Sequence, residues 1–329
     1  MDPIAPPRAY ARLSVEGVIR ACLDDFRVDE YAVFEPSGEG EHLLLRIEKR
    51  GLNTNDVAND LARAFGVVPL DVSFAGMKDR HAVTRQWFSV RTPADASNVD
   101  VASSSWRVLE SARHARKLRR GDLAGNAFHI RVRDLRGDVD ALTERLQLLS
   151  TRGAPNYFGE QRFGRESANV ERARRWICNR PRPIVLPFQK GLHLSTARAL
   201  LFNAVLGQRV IAQNWDRLID GDVAIDAVPT GPLWGRGRPA ASGAALAIET
   251  DALIAHRQWL DPLEHLGLAQ ERRIFVLRPN KFEWALDRTQ LEVRFDLSPG
   301  QFATTLLAEI GALRNPLHSA LHDAVAVTS

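Results

Sequence analysis

Strand-like patterning occurs at both ends of this chain and is absent from its middle, which limits the folds available to it. Near the C-terminus Leu291, Val293, Phe295 and Leu297 alternate with Glu292, Arg294 and Asp296, the period-two pattern of a half-buried strand. The other alternating runs come far earlier: Phe26 to Glu30, His42 to Lys49 around Leu43, Leu45 and Ile47, Gln86 to Val90, and Ile130 to Arg133. Helical periods interrupt the early strands and fill the middle of the chain. Asn53 or Thr54 caps an early helix through Val57 and Leu61 that ends at Gly66, and Asp138 caps one through Val139, Leu142, Leu146 and Leu149. Ser167 opens another through Val170, Ala173, Trp176 and Ile177. After a Pro-rich link, Ser195 opens a longer one through Ala199, Phe202, Leu206 and Val210, and residues 250–266 also read as helical. The order strands, helices, strands predicts a mixed α/β (α+β) domain carrying a helix-rich insertion. The expected divisions are 1–154, 155–279 for the insertion, and 280–329, the last closing with a helix through Leu306, Leu307 and Ile310 and a frayed tail after Asn315.

One turn among the early strands carries chemistry. The apolar run Val72 to Ala75 ends at Gly76, where the chain can turn, and Lys78-Asp79-Arg80 follows before the next strand begins near Gln86. A carboxylate displayed between two cations suits nucleophilic or acid–base work on a nucleotide, whose phosphates the cations could hold. A surface turn closed by a local salt bridge would carry the same residues, so the turn alone leaves both readings open.

The chain is 329 residues long, 45% hydrophobic and 26% charged, enough for about two domains with substantial cores. Its net charge is only +4, but the basic residues cluster at 113–120 and 162–182, which points to an anionic polymer or surface. Gly153 to Gly164 alternates aromatics with Gly and Arg, a composition suited to stacked bases or to a tight aromatic-lined turn. Thr230 to Pro239 reads as a flexible basic loop whose glycines match neither the P-loop nor the dinucleotide fingerprint. Residues 94–105 read as a small, polar loop. Cys22 and Cys178 have no CxxC or His-rich company, which excludes a disulfide framework and an obvious zinc site and fits a reducing cytoplasm. No long apolar run or secretory signal is present, so neither a membrane span nor export is expected.

Five segments in series carry a family resemblance. Gly76 to Gln86 (GMKDRHAVTRQ) resembles the GxKDxxAxTxQ signature of the TruD family of tRNA pseudouridine synthases. Asp25-Phe26-Arg27-Val28-Asp29-Glu30 is similar to that family's DFxVxE opening, and Gly125-Asn126-Ala127-Phe128 to its GNxF element. Pro155 to Gly164 is similar to its PNYFGxQRFG segment, and Gln301-Phe302-Ala303-Thr304 to its closing FAT element. The resemblance spans residues 20 to about 312 and implies a mixed, mainly antiparallel catalytic sheet with flanking helices and a family-specific insertion. It also implies an isomerase that turns a tRNA uridine, that at position 13, into pseudouridine without cofactor or metal. On this reading Asp79 is the catalytic aspartate, acting as nucleophile or as base. Phe26, Asn126 and Phe302 line the uridine pocket, Phe128 stands where other pseudouridine synthase families place a tyrosine, and Lys78 contacts substrate. The expected partner is tRNA, and the expected form is a cytoplasmic monomer. One departure is visible: Arg20 stands where the family often has lysine, so charge is kept while any contact needing a compact ammonium changes. Two rival readings are a non-catalytic RNA-binding module, against which the retained Asp79 argues, and a metal-dependent nuclease. The second needs clustered carboxylates, yet the nearest acid in sequence to Asp79 is Asp71.

Overall fold

The computed structural model describes residues 2, 4–92, 102–179 and 181–317. Most of the loop expected at 94–105 and nearly all of the expected C-terminal tail lie outside these residues. The first half runs β1 (Val15–Ile19), β2 (Phe26–Ala32), β3 (His42–Arg50), α1 (Thr54–Ala64), β4 (Val72–Phe74), β5 (Val83–Arg91), β6 (Ala102–Ser103), β7 (Trp106–His114), β8 (Leu123–Gly137) and α2 (Val139–Thr151). There follow β9 (Ala154–Pro155), α3 (Glu160–Phe163), α4 (Ala168–Cys178), α5 (Pro187–Ile211), β10 (Ala224–Ile225), β11 (Val228–Leu233), α6 (Gly243–Leu253), α7 (Arg257–Glu264), β12 (Glu271–Ile274) and β13 (Val276–Leu277). The chain closes with β14 (Asn280–Leu286), β15 (Leu291–Leu297), α8 (Ala303–Ala308) and β16 (Ala312–Arg314).

Two compact units emerge. A sheet unit takes residues 14–146, 279–301 and those from 311 onward; a helical unit takes 1–13, 147–278 and 302–310. The sheet has eleven strands in the order β14-β15-β8-β2-β5-β3-β7-β6, with β1 and β16 joined along β8 and β4 along β5. It is mixed and mainly antiparallel, as expected: only β2 with β5 and β1 with β16 run parallel. The long strand β8 sets the register. It places Phe128 opposite Val28 on one side and Phe295 on the other, and Asn126 opposite Glu30 and Leu297. Directly paired residues share a sheet face, so Phe26, Glu30, Asn126 and Phe128 stand together.

Strand β3 is buried on both faces. Leu43, Leu45 and Ile47 pack under α1 with Val57, Leu61, Phe88 and Val90, while Leu44 packs on the other face with Trp87 and Leu118. Helix α1 starts where its sequence puts it: the Asn53 amide donates to the Asp56 carboxylate at 3.2 Å, and Gly66 follows the helix at φ 63°.

The helical unit gathers around α5, whose Ala199, Phe202, Leu206 and Val210 are buried as the periodicity predicts. Its start differs from expectation. Ser195 lies inside α5 and bonds back to Leu192, and the helix opens at Pro187, whose fixed φ suits a first helical position. The stretch from Thr230 is likewise not loop at first: Thr230 to Leu233 pair with β12. Gly231 is needed there because a Cβ would lie 2.3 Å from the Phe275 ring. Residues 250–266 split into α6 and α7 across a short 3₁₀ turn at Ile254–His256.

At the start of β2, Asp25 is wholly buried and takes the Arg133 guanidinium at 2.8–2.9 Å. Burial pushes its carboxyl upward, but Arg133 and the Cys22 amide together hold it below its ordinary value. A carboxyl depressed on folding contributes stability above its unfolded pKa and loses it as the pH falls through the folded one. Asp25→Asn is therefore expected to cost about 1.5 kcal/mol at neutral pH, because it weakens the charge-assisted hydrogen bonds from Arg133 and the Cys22 amide while Arg133, part-exposed, can turn to solvent. Urea melts from neutral to acid pH should also show a flatter acid limb than the parent; an unchanged limb would remove Asp25 from the acid response.

Candidate active site

The link between β4 and β5 carries Lys78, Asp79 and Arg80, and the core behind it fixes its backbone. Gln86 on β5 donates its amide to the Gly76 carbonyl at 3.0 Å. Thr54, the first residue of α1, accepts from the Lys78 amide at 2.9 Å and meets Gln86 Oε1 at 3.1 Å. Lys49 at the end of β3 donates to the carbonyls of Asp79 at 2.7 Å and Leu52 at 2.8 Å, with Lys78 O at 3.5 Å. Gly76 is not in the left-handed region, and a Cβ there would meet only Lys78 Nζ at 3.7 Å, so these side chains set the turn rather than glycine's freedom.

Asp79 leaves this frame with its side chain 35% exposed and its Oδ2 2.5 Å from Arg20 Nη2. Arg20 is buried, follows β1 in the left-handed region at φ 57°, and lays its guanidinium over the Phe26 ring, 3.9 Å from the centroid. The surrounding fold must hold that backbone conformation, here at a buried cation beside a part-exposed carboxylate. Burial lowers the Arg20 pKa and Asp79 partly restores it; arginine remains charged under both influences. The planar guanidinium meets a ring face and a carboxylate at once, which an ammonium could do only as a point charge.

The sheet face brings four of the expected residues together, in roles that geometry defines. Phe26 is 1% exposed and its face is occupied by Arg20, so it supports the Asp79 partner. Phe128 is half-buried, edge-on to Phe26 at 6.2 Å and stacked with Phe295 at 5.3 Å. Asn126 is half-buried, and its side-chain oxygen has no hydrogen-bond partner among the described residues. Lys78, expected to face substrate, turns inward and pairs with Glu30. Burial pushes the Glu30 carboxyl up and Lys78 pulls it back, while the Trp87 amide donates to its other oxygen at 3.4 Å.

Phe302 lies in the helical unit at the start of α8, 6.3 Å from Phe158. The aromatic segment there is a tight turn: the Phe158 amide and carbonyl both bond Asn203 at 2.9 Å, and Arg273 covers its ring at 4.2 Å. Burial, helped by Arg162, brings Arg273 down to about 10. A cleft of about 270 Å³ lined by Trp234, Leu246, Leu253 and Arg257 opens in the same unit and holds none of the expected site residues. Among the described residues no three His, Cys, Asp or Glu side chains stand together as metal ligands, and no helix is long and apolar enough to cross a membrane.

Sequence reading missed Arg20 as the partner of Asp79, and it missed Lys49, Thr54 and Gln86 as the frame of the turn. A signal for Lys49 was present: it is in phase with Leu43, Leu45 and Ile47, a lysine on the apolar side of a strand.

Known proteins are similar to this chain. A family model described as tRNA pseudouridine synthase D (TruD) matches residues 9–180. A tRNA pseudouridine synthase D of Cellvibrio japonicus is 44% identical over 317 residues, covering 94% of this chain and 93% of that protein. One from Methylococcus capsulatus is 42% identical over 331 residues, covering 92% and 93%. The crystal structure of a Methanosarcina mazei protein described as tRNA pseudouridine synthase D superposes with a TM-score of 0.71 at 20% identity, covering 96% of this chain and 97% of that one, a likeness of fold. With relatives this similar over nearly its full length, the chain belongs to the TruD family of tRNA pseudouridine synthases.

Proposed function

We propose that this chain isomerises a uridine of tRNA to pseudouridine, with Asp79 acting on the ribose of the target nucleotide. The observation that carries the reading is the Arg20–Asp79 pair: a part-exposed carboxylate held by a buried guanidinium at one oxygen, on a turn fixed from behind. The other oxygen, Oδ1, has no hydrogen-bond partner among the described residues. The reaction is an isomerisation, so its atoms balance without an oxidant or a second substrate. The N1–C1′ bond breaks, the uracil turns, a C5–C1′ bond forms, and the proton lost from C5 is balanced by one gained at N1. The base must leave its stack to reach Asp79, at a cost of a few kcal/mol. Phe128, a half-buried ring on the same sheet face, is the aromatic surface to offset this, and the unpaired Asn126 oxygen suits the imide N–H that distinguishes uracil. The part of Phe302 rests on the family resemblance, as does the choice of position 13. On the same reading residues 155–279 form the family's insertion and help to hold tRNA, and the protein works in the cytoplasm as a monomer.

The basic run at 113–120 supports a tRNA substrate in a narrower way than its composition implies. Asp122 takes Arg116 at 3.0 Å and the Arg119 amide at 2.8 Å, Lys117 holds the Leu70 carbonyl, and His114 and Leu118 are buried. Arg119 and Arg120 remain exposed, with no ion pair among the described residues, and are the cations left for phosphates. Replacing both by Ala should weaken tRNA binding and flatten its log–log salt dependence by about one unit per arginine. An unchanged slope in a filter-binding series would move the phosphate contacts elsewhere.

The catalytic assignment is tested by Asp79→Asn, which keeps shape and removes charge. Tritium release from 5-³H-uridine tRNA should fall by more than about 10³-fold, while tRNA affinity and melting temperature stay near the parent values. Clear turnover by the well-folded variant would end the assignment.

A further inference from the structure

We infer that Lys49 is a positioning residue for the catalytic turn: its ammonium holds the main-chain carbonyls at Lys78 and Asp79, and the placement of the Asp79 carboxylate depends on its charge. The inference rests on the proposed role of Asp79.

Lys49 is 0% exposed, on a strand face otherwise filled by Leu43, Leu45 and Ile47 under α1. A lysine buried there is expensive unless all its donors are used. It has three N–H donors and three facing carbonyls, of Leu52, Lys78 and Asp79, at 2.8, 3.5 and 2.7 Å. Leu52 leads into α1, so one ammonium ties the chain before α1 to the turn after β4. Thr54 and Gln86 hold the same turn at the Lys78 amide and the Gly76 carbonyl. Asp79 thus has its carboxylate set by Arg20 in front and its backbone set by Lys49 behind.

The charge matters as well as the reach. A neutral amine has two donors and a lone pair, so one of the three carbonyls would face the lone pair and be repelled. Asp79 and Asp56 on α1 favour the protonated form, whereas burial and Lys78 oppose it, and the balance brings Lys49 down to about 8. This turn therefore loosens as the solution passes from neutral to mildly alkaline.

The test compares the parent enzyme with Lys49→Met and Thr54→Val in single-turnover conversion at saturating tRNA, with tRNA affinity and melting recorded on the same preparations. Lys49→Met should lower the saturating rate by about 10²-fold, the scale of a 1 Å misplacement, with affinity within about twofold. Thr54→Val, which loses the hydroxyl that meets Lys78 and Gln86, should lower it about five- to tenfold. The uracil imide also loses its proton in alkali, but equally for every enzyme, so the ratio of parent to variant rates isolates Lys49. That ratio should shrink for Lys49→Met between about pH 7 and about pH 9, because only the parent has this proton to lose. For Thr54→Val it should stay level. A Lys49→Met enzyme with the parent rate, a flat ratio, or an affinity loss matching the rate loss overturns the inference. If Lys49→Met fails to fold, Lys49→Arg, which keeps its charge through this pH range, takes its place: a ratio of parent to Lys49→Arg rates that stays level between about pH 7 and about pH 9 overturns the inference. An active Asp79→Asn would mean that the catalytic assignment had failed; an active Lys49→Met beside an inactive Asp79→Asn would mean that only the positioning had.

Discussion

Charge buried in the sheet unit must be matched within it, and the geometry around Asp79 follows from how that matching is done. Glu30 stands buried on β2 opposite Asn126 of β8, where an unpaired carboxylate would cost several kcal/mol. Lys78 therefore turns inward to meet it, and its neighbour Asp79 is left to Arg20. Arg20 in turn is buried against Phe26, and Phe26 follows Asp25, which Arg133 of β8 fixes. Each pair removes one freedom from the next. The only carboxylate of this chain of contacts that keeps substantial exposure is Asp79 itself. A site built in this way needs little rearrangement when charge develops on a substrate, which is the condition under which electrostatic stabilisation is most effective.

How much of this the sequence disclosed depended on distance along the chain. Locally determined features were readable: the alternation in β3 and β15, the Asn53 and Asp138 caps, and the buried stripe of α5. The motif segments named Asp79, Phe26, Asn126 and Phe128, and the structure brings these four into the sheet unit. Pairings made through the fold were hidden. Arg20 and Asp79 are 59 residues apart, Lys78 and Glu30 are 48 apart, and nothing in either segment states that they meet. Local reading failed where a tertiary partner overrides composition: Asp122 folds back on the basic cluster at 113–120, and Pro187 starts a helix instead of belonging to the Pro-rich link. Two residues that break local rules, Lys49 on an apolar strand face and Arg20 in the left-handed region, lie at the site. Natural sequences concentrate such violations where function requires them.

The division of the chain into its units has a consequence for how it is made. The backbone passes between the sheet unit and the helical unit five times, and residues 302–310 complete the second while 311 onward complete the first. Strand β1 pairs on one side with β8 and on the other with β16, so one edge stays open until Ala312 to Arg314 have been synthesised. Strand β15 likewise reaches β8 only after the whole helical stretch has been added. The usual order, in which an N-terminal domain is finished while the rest is still on the ribosome, is not available to this topology. Both units close late and nearly together, through pairings of long sequence separation that form slowly. A nascent chain halted before Phe302 would lack α8 in the helical unit and leave the β1 edge of the sheet without β16.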